Sequence, residues 1–290
     1  MPFENLPSAF LARDVLPLGL GCSRLGSVNG NNGDEARALL KLALDQGVRF
    51  FDTSNIYGQG ESEQVLGEIL RQRDDVVVCS KAGKHLSMKM RVVAPLKSVL
   101  RTVARRSDQA RRRISAARAK PMPTRWDPAF LTASLDASLR RLKREQIEMF
   151  MLHSPPAEVI ARGDAVGTLE LARQAGKIGI VGVSVDDVAT AEAALQDPRV
   201  KALQVPLHPR DTAFDVVVRD AAHQGVAIIA REILGGALAI ASQADPARYA
   251  RDQIIASIRR SGVSLPLVGA TRTASLTAST EAARAARVDA

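Results

Sequence analysis

Residues 165–184, AVGTLELARQAGKIGIVGVS, place a helical pattern, a glycine and a continuous apolar run directly after one another. Gly176 follows the helical pattern, as glycine commonly does at the carboxyl terminus of a helix, and the apolar run 178–184 begins almost at once. Short runs that are apolar throughout are typical of parallel strands that are buried on both faces. The stretch therefore predicts a helix that leads into a strand of a parallel sheet.

The same alternation extends in both directions along the 290 residues of the chain. The predicted strands are 16–21, 48–52, 76–80, 147–152, 178–184, 202–205, 226–230 and 265–268, and the predicted helices are 34–46, 61–71, 129–142, 165–175, 188–196, 214–224, 248–261 and 274–287. Eight such units without a break in composition predict an α/β fold, a (β/α)₈ TIM barrel that forms a single domain over residues 1–290. Alternation alone also allows a doubly wound sheet.

Residues 84–127 interrupt this rhythm as a basic insertion after the third strand. The window from Lys84 to Arg125 holds 13 basic residues and one acid, which leaves a charge of −3 for the rest of a chain whose total is +9. In a barrel such an insertion leaves from the active-site face, so we expect it to shape the substrate pocket. Its amphipathic pattern at 86–106 also allows contact with an anionic membrane, whereas a specific nucleic-acid partner is disfavoured because aromatic residues for base stacking are absent.

Composition excludes several classes of protein. The chain is 46% apolar, which is ample for a large core, and no run of about 18 apolar residues predicts a membrane span. Its first 25 residues lack a convincing secretory signal. Two cysteines make neither a disulfide framework nor a metal cluster, and the histidine spacings build no metal site. We therefore expect a soluble cytoplasmic protein without a metal.

Four side chains that can carry chemistry lie at or near the ends of three neighbouring predicted strands. Asp52 ends the second strand and Tyr57 follows it, Lys81 ends the third, and His153 ends the fourth. Because barrel active sites lie at the carboxyl ends of strands, we expect these four side chains to share one cavity.

Together these groups suit the reduction of a carbonyl. A nearby ammonium favours the phenolate and so lowers the pKa of tyrosine from about 10, while a carboxylate keeps the lysine charged. Histidine can donate a hydrogen bond to a carbonyl oxygen or relay a proton. None of these side chains supplies a hydride, so a nicotinamide cofactor must.

Short motifs in a fixed order carry a resemblance to a known family. They are LGLG (18–21), FDT (51–53), YG (57–58), GESE (60–63), LG (66–67), SK (80–81), SLRRL (138–142), LHSP (152–155), GKI (176–178), GVS (182–184), Gln204 and VGA (268–270). With these motifs the sequence resembles the aldo-keto reductases over nearly its full length.

The resemblance implies a catalytic tetrad and a cofactor. The tetrad falls on Asp52, Tyr57, Lys81 and His153, with Tyr57 as the proton donor. The implied cofactor is NADPH, or NADH, extended across the barrel mouth. The implied substrate of the protein is a small aldehyde or ketone. The implied cofactor-binding residues are Ser184 and Gln204 for the carboxamide, together with Arg231, Gly269, Thr271 and Arg272, of which Arg272 suits a 2′-phosphate.

The sequence also departs from the family pattern at cofactor positions. Val185 stands where an asparagine usually holds the carboxamide, Arg231 replaces an aromatic residue, and Ser279 lies near the usual position of an asparagine. The segment 236–261 is shorter than the usual loop and helix. These changes motivate an alternative function, a non-catalytic redox sensor or regulatory protein that binds a nicotinamide nucleotide.

Overall fold

Eight parallel strands close into a barrel in the order of the chain. The structure, a computed structural model, describes residues 15–26, 30–86 and 122–288. The strands are β1 (Gly19–Gly21), β2 (Phe50–Asp52), β3 (Val77–Ala82), β4 (Ile147–His153), β5 (Ile178–Ser184), β6 (Ala202–Pro206), β7 (Ala227–Arg231) and β8 (Leu265–Gly269). Parallel pairing of Gly19 with Leu267 and of Gly21 with Gly269 closes the sheet. The predicted (β/α)₈ barrel is confirmed, and the doubly wound alternative is excluded.

Helices surround the barrel and connect its strands. In the described ranges they are α1 (Gly33–Asp45), α2 (Glu61–Leu70), α3 (Pro128–Leu142), α4 (Ala157–Arg162), α5 (Asp164–Gln174), α6 (Val188–Leu195), α7 (Asp215–His223), α8 (Gly236–Ala241), α9 (Pro246–Arg259) and α10 (Thr273–Val288), with a 3-10 helix at Tyr57–Gly60. Within those same ranges, no helix has the length and apolar composition needed to cross a bilayer.

Predicted and observed elements differ mainly where an element is short. The eight predicted helices lie within two residues of the observed ends. The sequence did not predict α4 and α8, which have six residues each, because fewer than two turns show no helical period. Strand β1 begins three residues later than predicted: Leu16 and Leu18 are buried, but they lie outside the paired ladder.

Alternate residues of each strand face the barrel interior. The inner core consists of Phe50, Val77, Cys79, Met149, Met151, Ile180, Ala202, Ala227, Ile229, Leu265 and Leu267. Because side chains repeat every two residues along a strand, the next inward positions toward the carboxyl ends are polar or glycine. They are Asp52, Lys81, His153, Gln204, Arg231 and Gly269, and on β5 Gly182 followed by Ser184. The strand period alone therefore places most of the predicted site residues on one end of the barrel.

The described ends of the predicted insertion meet above the end of β3. Lys84 and Thr124 form an antiparallel bridge, and the His85 N–H donates to the Pro123 carbonyl at 2.9 Å. Gly83 has a φ of +116°, and a Cβ there would lie 2.0 Å from the Trp126 ring. The segment 84–127 thus leaves from the carboxyl-end face. Residues 87–121, and with them nearly all of the predicted amphipathic pattern at 86–106, lie outside the described residues.

Close contact between α2 and α3 supports the end of β3. A Cβ on Gly67 would lie 2.4 Å from the Arg141 carbonyl oxygen and 2.8 Å from the Leu142 Cα, so the two helices touch through backbone. The buried Glu63 carboxylate of α2 accepts from Arg141 Nε at 2.6 Å and from Ser80 Oγ at 2.5 Å. These contacts fix the strand residue directly before Lys81.

Gly67→Ala tests this close approach. Alanine favours an exposed helix by about 1 kcal/mol over glycine, but the clash with the α3 backbone should outweigh that gain and lower the free energy of unfolding by about 1–3 kcal/mol. Urea denaturation measures the change. The control is Gly33→Ala in α1, where a Cβ meets only the movable end of Arg37 at 3.1 Å. Equal stability of the two variants would contradict the packing argument.

Candidate active site

A buried ion pair joins the ends of β2 and β3. Lys81 Nζ donates to Asp52 Oδ1 at 2.5 Å and to the Thr53 carbonyl at 2.9 Å. The side chains of Lys81 and Asp52 are 0% and 7% exposed. A pair removed from water to this degree is favourable only when hydrogen bonds satisfy both partners. Each partner therefore depends on the other for its place in the barrel.

The ion pair keeps Lys81 protonated in spite of its burial. Burial by itself would lower the pKa of Lys81, but the nearby Asp52 carboxylate, helped by Tyr57, raises it above its usual value. Lys81 consequently carries a positive charge at neutral pH. It supplies a fixed cation at the base of the cavity.

Tyr57 lies in the 3-10 helix that follows β2, beside this cation. Lys81 Nζ lies 5.3 Å from the centroid of the Tyr57 ring. Burial raises the pKa of Tyr57, while Lys81 acts in the opposite direction with a smaller effect. The expected net lowering is therefore wrong for this structure, because the sequence argument weighed the charge and not the loss of water. Tyr57 remains protonated at neutral pH.

His153 ends β4 and faces Tyr57. The two rings meet edge to face with their centroids 5.9 Å apart. Burial, reinforced by the positive charges of Lys81 and Lys84, lowers the pKa of His153 well below its usual value. The imidazole is therefore neutral at neutral pH.

A hydroxyl that the sequence analysis did not predict orients this imidazole. Ser54 Oγ lies 3.0 Å from His153 Nδ1. Ser54 stands two residues after Asp52, at the next inward position beyond β2, so the strand period was a signal that could have found it. The contact fixes the ring plane of His153 and leaves Nε2 for the cavity side.

Two predicted cofactor residues form a polar chain across the barrel. Ser184 Oγ on β5 donates to Gln204 Oε1 at 3.0 Å, and Gln204 Nε2 on β6 donates to Asp52 Oδ1 at 2.7 Å. All three side chains are buried. The carboxamide positions expected at Ser184 and Gln204 are thus coupled directly to the ion pair.

A third predicted cofactor residue, Arg231, is held by carboxylates. Its guanidinium pairs with Asp186 and with Glu232, and Nη2 also donates to the Val185 carbonyl at 2.8 Å. Glu232 adopts a φ of +61°, an uncommon backbone conformation for a residue that is not glycine. The sequence analysis did not predict a role for Asp186, which follows the departure from the family pattern at Val185.

These groups line a cavity of about 370 Å³ at the carboxyl ends of the strands. Its lining residues are Gly21, Ser23, Asp52, Tyr57, Lys84, His153, Ser154, Ser184, Asp186, Gln204, Arg231, Glu232, Leu267, Val268 and Gly269. Lys81 lies beneath this surface, in contact with Asp52. The structure therefore brings together the four predicted catalytic residues and four of the six predicted cofactor residues.

The other two predicted cofactor residues lie outside the cavity lining. Thr271 and Arg272 directly precede α10, and the Thr271 carbonyl accepts from Asn31 Nδ2 at 2.9 Å. Arg272 is exposed. In the part of the chain that the structure describes, no group of three or more histidine, cysteine or acidic side chains could hold a metal ion.

A closed barrel whose carboxyl-end cavity gathers an aspartate, a tyrosine, a lysine and a histidine has the architecture of a (β/α)₈ barrel enzyme. Comparison with known families specifies the class further. The model of the aldo/keto reductase family matches residues 17–254, and the chain belongs to that family.

Curated relatives match over part of their length. An aldo-keto reductase of Schizosaccharomyces pombe whose name includes NADP(+) is 25% identical over 214 residues, which are 71% of this chain and 53% of that protein. A D-threo-aldose 1-dehydrogenase from a Pseudomonas species is 31% identical over 194 residues, which are 63% of this chain and 55% of that protein. The chain thus spans about half the length of these relatives.

Solved structures share the fold. The holo form of an aldo-keto reductase from Bacillus halodurans has a TM-score of 0.72 at 17% identity and covers 92% of this chain and 86% of its own. An aldo/keto reductase from Klebsiella pneumoniae in complex with NADP and acetate has a TM-score of 0.68 at 20% identity and covers 93% and 86%. At identities of 17% and 20%, these matches show that the barrel fold is shared.

Lys81→Met tests the energetics of the ion pair. It leaves the Asp52 carboxylate buried without its cation, so the free energy of unfolding should fall by about 3–5 kcal/mol. The double variant Asp52→Asn with Lys81→Met removes both charges and should regain at least half of that loss, as measured by urea denaturation. Lys201→Met, at an exposed lysine, is the control and should change little. A double variant no more stable than Lys81→Met would contradict the argument.

His153 should make stability depend on pH. Because its folded pKa is depressed, the unfolded chain takes up a proton below about pH 6.5 that the folded chain excludes, so stability falls with acid by up to about 1.4 kcal/mol per pH unit. His153→Gln should remove this part of the dependence between pH 7 and pH 5. The free energy of unfolding at several pH values measures both slopes, and equal slopes would rule out a neutral buried imidazole.

Proposed function

We propose that this protein is an NAD(P)H-dependent oxidoreductase that reduces an aldehyde or ketone to an alcohol, or catalyses the reverse, with Tyr57 as the general acid. One observation carries the proposal: Tyr57 and His153 line one cavity together with Asp52, whose carboxylate is paired with the buried Lys81 beneath it. Membership of the aldo/keto reductase family supports it.

The charges of the site suit proton transfer to a carbonyl oxygen. A raised pKa keeps the proton on Tyr57 until a stronger base develops, and a carbonyl oxygen that gains negative charge is such a base. Lys81 then stabilises the phenolate that remains, from a position already fixed by Asp52. His153 can donate a hydrogen bond to the same oxygen without bringing a charge of its own. These residues therefore stabilise negative charge where the reaction produces it.

The residues at the cavity floor fit a nicotinamide ring. When bound, the nicotinamide nucleotide supplies the hydride that no side chain provides. Ser184 and Gln204 offer a hydroxyl and an amide, and one N–H of Gln204 is free of the bond to Asp52. Gly21 and Gly269 are partners in the register of β1 and β8, and both line the cavity without a side chain. The Ser184 and Gln204 side of the cavity is therefore polar, and the two glycines leave space beside it for the ring.

The start of α10 fits the adenosine phosphates. The first N–H groups of this 16-residue helix point out of its amino terminus, where the helix dipole favours an anion. Thr271 and Arg272 directly precede it, and the exposed guanidinium of Arg272 is free to pair with a 2′-phosphate. We therefore expect NADPH to bind more tightly than NADH.

Val185 favours a second candidate function, nucleotide binding without turnover. Its side chain is fully buried and apolar, so it cannot hold the carboxamide, and Arg231 occupies its carbonyl. Weaker cofactor contacts suit a redox sensor or a regulatory protein. The tetrad favours the enzyme, since a sensor needs no proton donor beside a fixed cation.

A cytoplasmic location and an anionic membrane contact through 86–106 stay predictions.

Tyr57→Phe separates the two functions. It removes the proton donor and keeps the ring, so NADPH-dependent reduction of a set of aldehydes should fall at least about 100-fold. Tyr249→Phe is a matched control, because the chain has two tyrosines and Tyr249 bonds to His208 outside the cavity. Steady-state oxidation of NADPH measures the rates.

Titration of both variants with NADPH and NADH, followed by cofactor fluorescence, completes the test. Both should bind NADPH as the parent does, and Arg272→Leu should weaken NADPH selectively. Tight NADPH binding without any carbonyl reduction by the parent would favour the sensor. Binding of neither nucleotide would overturn both candidates.

A further inference from the structure

Lys84 is a cation in the cavity that the chemistry above does not use. It lies two residues beyond β3, where its carbonyl accepts from Asn55 Nδ2 at 3.2 Å and its backbone bridges Thr124. The bond from Asn55 ties Lys84 to the loop that carries Tyr57. Its side chain lines the same cavity as Tyr57 and His153 and is 24% exposed.

The carboxylates of the cavity are paired mainly with other cations. Asp52 is bonded to Lys81, and Asp186 and Glu232 are bonded to Arg231. The Asp186 carboxylate is 3.9 Å from Lys84 Nζ, beyond hydrogen-bond distance. Among the described residues, Nζ donates one hydrogen bond, to Ser154 Oγ at 2.8 Å. An ammonium has three donors, so Lys84 has capacity for a further acceptor.

Ser154 completes a pair of donors. Its φ of +55° is uncommon for a residue other than glycine, and this conformation directs the chain just beyond β4 so that Oγ meets Lys84. Because Ser154 Oγ accepts from Lys84, its own hydrogen is available to an acceptor in the cavity. An ammonium N–H and a hydroxyl O–H thus lie side by side next to His153.

The electrostatics of the cavity favour an anion at this pair. Removal from water, with added repulsion from Arg231 and Lys81, lowers the pKa of Lys84 in spite of Asp186. Lys84 is half-removed from water, and its counter-ion Asp186, 3.9 Å away, is shared with Arg231, so a bound anion would add a close partner for the charge. Asp186 would repel a doubly charged phosphate more strongly than a carboxylate, so a singly charged group fits best.

We infer that Lys84 and Ser154 form a carboxylate subsite. The protein then selects small oxo acids, that is, aldehydes or ketones that also carry a carboxylate a few atoms from the carbonyl. This inference rests on the proposed function, because the carbonyl is placed at Tyr57 and His153. Lys84 then determines specificity, while the tetrad performs the chemistry.

A pair of matched substrates tests the subsite. 4-Oxobutanoate and its methyl ester differ in charge and share the reacting aldehyde. We expect kcat/KM with NADPH to favour the acid at least tenfold in the parent, and Lys84→Met to reduce that ratio at least tenfold, mainly through KM. Lys84→Arg keeps the charge and should retain a preference for the acid. Lys201→Met, a lysine variant at an exposed position outside the cavity, should retain the full ratio.

The outcomes distinguish this inference from the proposed function. Equal rates with acid and ester, or a preference that survives in Lys84→Met, would overturn the subsite and leave carbonyl reduction in place. If the parent reduces no carbonyl, the proposed function fails, and binding of butanoate decides the subsite independently. Stabilisation of the parent against heat by sodium butanoate, relative to sodium chloride, and its loss in Lys84→Met would support the anion site. Equal stabilisation of both proteins would refute it.

Discussion

The site depends on a lysine and an aspartate that are buried together at the top of the barrel. Lys81 and Asp52 lie on adjacent strands, and Gln204 reaches Asp52 from the far side of the interior. Loss of water is costly for both charges, and each charge gains one further hydrogen bond, from Lys81 to the Thr53 carbonyl and from Gln204 to Asp52. This polar layer lies directly above the apolar interior of Phe50, Cys79 and Met149. The other side chains of the cavity lie above this layer.

Burial determines the charge of each group around that layer. The same loss of water raises the pKa of Tyr57 and lowers the pKa of His153, so both are neutral at neutral pH. Lys81 escapes this effect because its carboxylate partner is within hydrogen-bond distance. Lys84 does not escape it, because Asp186 is farther away and shared with Arg231. The cavity therefore offers a buried cation paired with Asp52, a second cation whose carboxylate partner is shared with Arg231, and the two neutral groups of Tyr57 and His153.

Two departures from the family pattern, Val185 and Arg231, lie together in space. Val185, Asp186 and Arg231 form one contact network between the ends of β5 and β7, in which Arg231 binds both neighbours. In the sequence Arg231 follows Val185 by 46 residues, so the changes at these two positions read as separate substitutions. In the structure they are one arrangement, and the loss of an amide at position 185 accompanies the gain of a guanidinium that binds the same backbone.

The sequence by itself determined the order and type of most elements and the residues at the strand ends, because local patterns along the chain specify both. The alternation of helical patterns and short apolar runs predicted a barrel, and because barrel active sites lie at the carboxyl ends of strands, Asp52, Lys81 and His153 were expected in one cavity before any tertiary contact was known. The helices followed from the 3.6-residue period wherever they exceed two turns, and α4 and α8 were missed because they do not.

The tertiary structure alone decided three features of the cavity. It joined Gln204 to Asp52, it set the direction of the Tyr57 pKa, and it placed Lys84 against Ser154. Each feature depends on atoms from several strands. Lys84 and Ser154, for example, are 70 residues apart along the chain. A sequence specifies which group stands at the end of each strand. Desolvation and pairing depend on which ends the closed barrel brings together.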